Sequence, residues 1–459
     1  MNYEPASFRD PDARVFKCGG GRILRALSAR AAALDDEFRA SGLIDELVRD
    51  GLMVENARCR DIPVPEGWAA VVESKPVPFP NYPYEWSFGM LQDAALLTLT
   101  LTERALQRGA ALKDASAYNV FFHGARPVFI DVSSLRSYED GMPWLAYGQF
   151  CDHFLAPLML EAYKGVPFQP SLRSNLAGFS VSAQLAPLLS LRDLLRPGVM
   201  THVKLRALVD RRTQRLETGM RRQVRHVSLP KQAVLRNIHR LKRLVTTLAS
   251  RSPSVWADYD RCNTYGARET ELKAAFVAAA CERVGRGKLA WDVGANTGRY
   301  SRILAKHFET VVAMDVDPGA VDRLYRELKA NSDDRVILPL VVDLMNPSPA
   351  QGWRGMERDD LLGRGRPDFA VYLALIHHIC LGQGVPLSAF LDMVRATSKA
   401  SVVEFVAIDD PMSQAVLATK LETHGDYDLQ AFRALVSRGG EILAEEAVSE
   451  TRALFLLAS

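Results

Sequence analysis

Two patterns of apolar spacing divide this chain. In the first half the spacing is mostly helical. Leu91, Ala94, Ala95, Leu97, Leu101 and Leu106 recur at the intervals of one helix face and predict a long helix over 87–108, and residues 29–49 predict another. Shorter runs at 14–17 and 22–27, separated by Gly19-Gly20-Gly21, predict a hairpin, with a further strand over 68–74. Residues 141–250 read as largely helical. The second half changes character. Apolar runs at 288–293, 310–315, 335–342, 367–373 and 400–406 are nearly continuous, which is what strands buried on both faces require, and helices are expected between them. Two last runs, 440–447 and 452–458, have no room for a helix between them and predict an antiparallel hairpin at one sheet edge.

Composition adds that one core cannot hold the chain. At 459 residues, 48% of them hydrophobic, it exceeds the roughly 250–300 residues at which single cores stop growing, so two domains are expected. The six cysteines are scattered with no C-x-x-C pair, which speaks against a zinc knuckle or a disulfide framework and for a reducing, cytoplasmic setting. Residues 1–12 carry Glu4, Asp10 and Asp12 and no apolar core, so no signal peptide is expected. No apolar run approaches the ~18 residues of a membrane span, so no membrane partner is expected.

Net charge is +3 but unevenly placed: residues 201–251 hold fourteen Lys or Arg against Asp210 and Glu217, a local +12 that leaves the rest at −9. Arg211-Arg212, Arg221-Arg222 and Lys242-Arg243 interleave with Leu205, Leu208, Val209, Leu216, Leu235, Leu241 and Leu244, which predicts helices with one buried and one cationic face. The cationic face is either solvated or the site of an anionic partner. Nucleic acid is disfavoured because the segment has no aromatic residue on which bases could stack.

The chemistry concentrates in 288–317, KLAWDVGANTGRYSRILAKHFETVVAMDVD. A buried strand ends at Val293, and Gly294 to Gly298 form a tight turn before the next helix. There the absent Cβ atoms allow close ligand approach and helix N–H groups stand unpaired. The second strand ends on Asp315, a carboxylate able to accept both hydroxyls of a ribose, with Asp317 as its competitor. The spacing is G-A-N-T-G and not the G-x-G-x-x-G of a dinucleotide site. This stretch resembles the S-adenosylmethionine (SAM) loop of class I methyltransferases.

The resemblance implies a C-terminal Rossmann-like α/β fold over 251–459 with a mostly parallel seven-stranded sheet, and SAM as cofactor. It assigns Asp292, Gly294, Asn296 and Gly298 to the methionine end, Asp315 to the ribose and Asp343 to the adenine amine, unless Asp343 only caps its strand. His377 and His378, after the fourth strand, fall where the family faces its methyl acceptor. His377 is the expected general base, as the first residue fixed beyond the strand. Glu404 is a second acceptor-side candidate or a buried partner for a histidine. Adjacent histidines point apart and lack a third ligand, so no metal is expected.

In the first half, LKDASAYNVFFHGARPVFIDVSS places Asp114, Asn119 and Asp131 in the order of a kinase catalytic loop and metal aspartate. Residues 1–250 therefore resemble the kinase and aminoglycoside-phosphotransferase fold, a kinase-like α+β domain ending in the basic segment. The departures are Lys113 in place of His-Arg, Val132-Ser133 after the last aspartate, and no V-A-I-K lysine, for which Lys17 and Arg25 are positional candidates. The whole resembles the bacterial two-domain methyltransferases related to the nodulation protein NoeA. The expected function is methyl transfer to oxygen or nitrogen of a small-molecule or natural-product acceptor, with the kinase-like half as a docking scaffold. The alternatives are a bifunctional phosphotransferase and a nucleic-acid methyltransferase.

Overall fold

A computed structural model describes residues 3–215, 228–251, 266–331, 335–418 and 425–458. The chain divides into two compact units, Met1–Pro253 with Ala350–Arg358, and Ser254–Pro349 with Asp359–Ser459.

The first unit opens with a four-stranded antiparallel sheet, ordered β1-β2-β4-β3, built from β1 (Ala13–Cys18), β2 (Arg22–Leu27), β3 (Asn56–Arg58) and β4 (Ala70–Ser74). Gly20 and Gly21 turn the first hairpin at φ 80° and 78°, where a Cβ would be strained. The helix expected over 29–49 is two, Ala29–Ala40 and Leu43–Arg49. Gly42 at φ 74° breaks the first, and its left-handed conformation re-aims the chain so that Leu43, Ile44 and Leu47 are buried. β3 was not legible, because three residues carry too little alternation. Phe88–Gln107 is the central helix, capped by Ser87 and buried along Leu91, Ala94, Ala95, Leu101 and Leu106. Two short pairs follow it: β5 (Ala110–Leu112) with β8 (Leu135–Ser137), and β6 (Val120–His123) with β7 (Arg126–Phe129).

The basic segment departs from expectation in one half. Helix Lys231–Thr247 buries Val234, Ile238, Leu241, Leu244 and Val245 against the central helix, with Gln92 Nε2 donating to the carbonyls of Val245 and Leu248 at 2.6 and 3.0 Å. Helix Leu205–Arg215 instead leaves Leu205, Leu208 and Val209 46–56% exposed. Its inner face is held by Ala207 and by Arg206, which donates to Gly148 O and Asp152, so the aliphatic stripe points away. Leu216 lies outside the described residues.

The second unit holds a seven-stranded sheet, order β11-β10-β9-β12-β13-β15-β14. Its strands are β9 (Gly287–Val293), β10 (Phe308–Asp315), β11 (Ile337–Val341), β12 (Phe369–Tyr372), β13 (Ala400–Val406), β14 (Glu441–Ser449) and β15 (Arg452–Ala458). β9 to β13 are parallel, and β15 inserts antiparallel between β13 and β14. Every residue of β13 is buried, as the unbroken apolar run required. Between β11 and β12, however, no α-helix forms. Pro347, Pro349 and four glycines of 352–365 interrupt it, and Ala350–Arg358 groups with the first unit: Gln351 Nε2 donates to Arg173 O at 2.7 Å and Glu357 pairs with Arg9.

Candidate active site

The loop after β9 is pinned by its neighbour strand. The N–H groups of Gly294 and Ala295 both donate to Met314 O, at 2.8 and 2.9 Å, and left-handed φ at Gly294, Asn296 and Gly298 carries the chain round. The two glycines do different things. A Cβ on Gly294 would meet nothing nearer than Leu375 Cδ1 at 3.8 Å, an ordinary contact without a clash. A Cβ on Gly298 would lie 2.6 Å from Leu324 Cδ1, so that glycine lets the loop pack on helix Pro318–Ala330.

Three of the expected carboxylates separate by their bonds. Asp315 accepts the N–H of Asn296 at Oδ2 and of Asp317 at Oδ1, both at 2.9 Å. A carboxylate offers about four lone-pair directions, so capacity remains for a ribose diol. Burial raises its pKa, opposed by those backbone donors. Asp317 caps helix Pro318–Ala330 through the N–H groups of Gly319 and Ala320, which occupies its Oδ1. Asp292 is 2% exposed and accepts Ser301 Oγ at 2.6 Å, with its pKa pushed by burial to about 6; it braces the loop from beneath. Asp343 is exposed and accepts the N–H of Met345 at 2.9 Å, closing a turn at the end of its strand. The residues present fit SAM: a glycine turn, a ribose-type carboxylate after the next strand, and Asp343 exposed after the third.

The fourth strand ends earlier than the sequence indicated. β12 stops at Tyr372 because Ala374 adopts φ 49°, a left-handed conformation rare for alanine, and its N–H donates to Glu404 Oε2 at 2.8 Å. His377 is therefore not the first residue beyond the strand. It is 1% exposed, neither ring nitrogen has a hydrogen-bond partner among the described residues, and burial followed by the adjacent His378 lowers its pKa to about 3. His378 is half-buried, its ring centroid 4.1 Å from that of His377, and its pKa is also lowered by burial.

Glu404, expected at the acceptor, serves the scaffold. Its carboxylate pairs with Lys273 at 2.7 Å and Arg452 at 3.3 Å as well as with Ala374, and Arg452 donates to both oxygens of Asp410 at 2.7 Å. All four charged residues are at most 5% exposed. Burial lowers the Lys273 pKa, with Glu404 opposing. Lys273 and Arg452 lie 179 residues apart in sequence, with no motif around either, and so gave no signal.

In the first unit Asp114, Asn119 and Asp131 come together. Burial raises the Asp114 pKa, the Ser116 N–H opposes it, and Asp131 adds repulsion. Arg25, not Lys17, reaches this group: its guanidinium bonds the Asp131 carboxylate and Ser133 Oγ, while Lys17 pairs with Glu4 at 2.6 Å. Burial favours protonated Asp131, yet Arg25 and Ser133 outweigh it and hold the pKa low. Among the described residues one cluster, Cys59, Asp61 and Glu73, has metal-ligand spacing, and Arg22 bonds both of its carboxylates.

The sheet order, the glycine turn after β9 and the carboxylate ending β10 together are the arrangement of the class I methyltransferase fold. Within that class the chain belongs to the family of nodulation protein NoeA. The Rhizobium meliloti member is 34% identical over 445 residues, 95% of this chain and 92% of that protein. No family model matches the chain. Among solved structures, the N-methyltransferase NodS from Bradyrhizobium japonicum is 12% identical, covering 42% of this chain and 96% of that one at a TM-score of 0.31. Magnesium protoporphyrin IX methyltransferase from Synechocystis gives 15%, 41%, 79% and 0.29, and the bifunctional kinase-methyltransferase WbdD gives 16%, 44%, 41% and 0.31.

Proposed function

We propose that the protein transfers the methyl group of SAM to an oxygen or nitrogen of a small-molecule or natural-product acceptor, with the first unit acting as a kinase-like scaffold. The observation that carries the acceptor side is the pair of neutral imidazoles beyond β12, His378 half-buried over a fully buried His377. An oxygen or nitrogen nucleophile must lose its proton, whereas the sulfonium leaving group needs only alignment. His378 is the better placed to meet a substrate, and His377 supports it from below. Arg25 supports the scaffold reading, since a guanidinium already neutralises the aspartate that would hold a metal ion between phosphates. The test is comparative mass spectrometry of metabolites from cells with wild-type protein, with Asp315→Ala and with neither. We expect a methylated product that requires the protein and Asp315. Methyl label recovered in nucleic acid instead would overturn the reading.

A further inference from the structure

The aliphatic residues of the first unit that the fold leaves outside, and a row of arginines on helix Lys231–Thr247, are not used by the methyltransfer reading. In the turn Leu191–Leu195, Leu191 is 84% and Leu195 93% exposed, while the one acid between them, Asp193, is 4% exposed and turned inward onto Lys164 at 2.6 Å and Arg196 at 3.0 Å. The outward surface of this turn is thus leucine and Arg192, without a negative charge to oppose an anion. The exposed stripe Leu205, Leu208 and Val209 follows it.

The cations come from helix Lys231–Thr247, which contains no Asp or Glu. Arg236, Arg240 and Arg243 recur at the spacing of one face, are exposed, and make no ion pair among the described residues. Gly198 fixes where this helix sits: a Cβ there would lie 2.5 Å from Leu244 Cδ2, so the helix packs directly on the backbone that leads out of the Leu195 turn.

We infer that this face docks on an anionic phospholipid surface, the leucines entering the headgroup boundary and the arginines binding lipid phosphates. One signal alone gives marginal attachment, and apolar insertion with a polybasic patch supplies the two that stable peripheral binding takes. Lipid is favoured over nucleic acid because 188–251 offers no aromatic residue for stacking and places leucine where a base platform would stand. No helix of the described residues is long and apolar enough to cross a membrane, so the contact is with the surface only. The sequence-based expectation of no membrane partner rested on spanning segments, and this proposal differs from it on that point.

The full chain is sedimented with phosphatidylcholine vesicles with and without phosphatidylglycerol, at low and high salt. Binding is expected only with phosphatidylglycerol and at low salt. Leu191→Ser/Leu195→Ser should weaken it on the order of a hundredfold, and each of Arg236→Ala, Arg240→Ala and Arg243→Ala about five-fold. SAM affinity, read by calorimetry, should not move in any variant. No binding to anionic vesicles at low salt, equal binding by the leucine variant, a leucine effect confined to self-association in light scattering, or RNA binding without vesicle binding would each overturn the inference.

Discussion

Gly294 and Gly298 are four residues apart and share a left-handed φ, yet only one of them is kept glycine by packing. Gly298→Ala forces a Cβ against Leu324 and should cost about 1–3 kcal/mol in chemical denaturation. Gly294→Ala meets no such clash, so it should cost less stability and weaken SAM binding more, as calorimetry would show. A reversed order would move the cofactor from Gly294 to Gly298. Asp292 carries a pH dependence at the same scale. Its folded pKa of about 6 lies above the ordinary value, so the folded chain holds the proton more tightly than the unfolded one. Its contribution is fullest below about pH 4 and declines as pH rises toward 6, by roughly 3 kcal/mol in total. Asp292→Asn should remove that slope between pH 4 and 6 in urea unfolding and leave the apoprotein more stable at neutral pH.

At the scale of elements, β12 and β13 are joined by more than their ladder. Glu404 reaches from β13 to the backbone of Ala374 and to two cations that arrive from helix Ala267–Val284 and from β15. Glu404→Ala would remove the carboxylate that Lys273 and Arg452 share, leaving Arg452 to Asp410, at a cost of about 3–5 kcal/mol. Glu404→Gln combined with Lys273→Met removes the pair together and should cost clearly less than Glu404→Ala. A double-mutant cycle read by denaturation would show this. If Glu404→Gln kept full stability yet abolished methyl transfer, the carboxylate would belong to the chemistry and not to the strut. Helix Leu205–Arg215 shows the limit of periodicity at this scale. Its aliphatic stripe was legible, but the direction it faces depends on Arg206 and Asp152, 54 residues apart.

For the whole molecule, the first unit brings Asp114, Asn119 and Asp131 together, and Asp131 is paired with Arg25. We expect no magnesium-dependent ATP turnover by the wild-type protein, and we expect Asp114→Ala/Asp131→Ala to retain methyl transfer when circular dichroism shows it folded. ATP turnover that vanishes in that variant would make the protein bifunctional. The segment Ala350–Arg358 makes this a test of one chain and not of two: it lies between β11 and β12 in sequence, yet it groups with the first unit, where Arg358 stands 4.5 Å over the ring of Tyr118, between Asp114 and Asn119 in sequence. The isolated first half would lose it.

The sequence alone determined the strands of the second unit and the turn from Gly294 to Gly298, because each depends on a local property: unbroken apolar runs and missing Cβ atoms. It also grouped Asp114, Asn119 and Asp131, whose spacing is short. Only the tertiary structure decided what those groups face. Asp317 became a cap when its helix formed behind it, and Gly298 met Leu324 across two elements. Arg25 rather than Lys17 reached Asp131, over 106 residues of chain. Partners that far apart leave no periodic trace, since the bond between them depends on how sheets and helices pack and not on the residues beside either one.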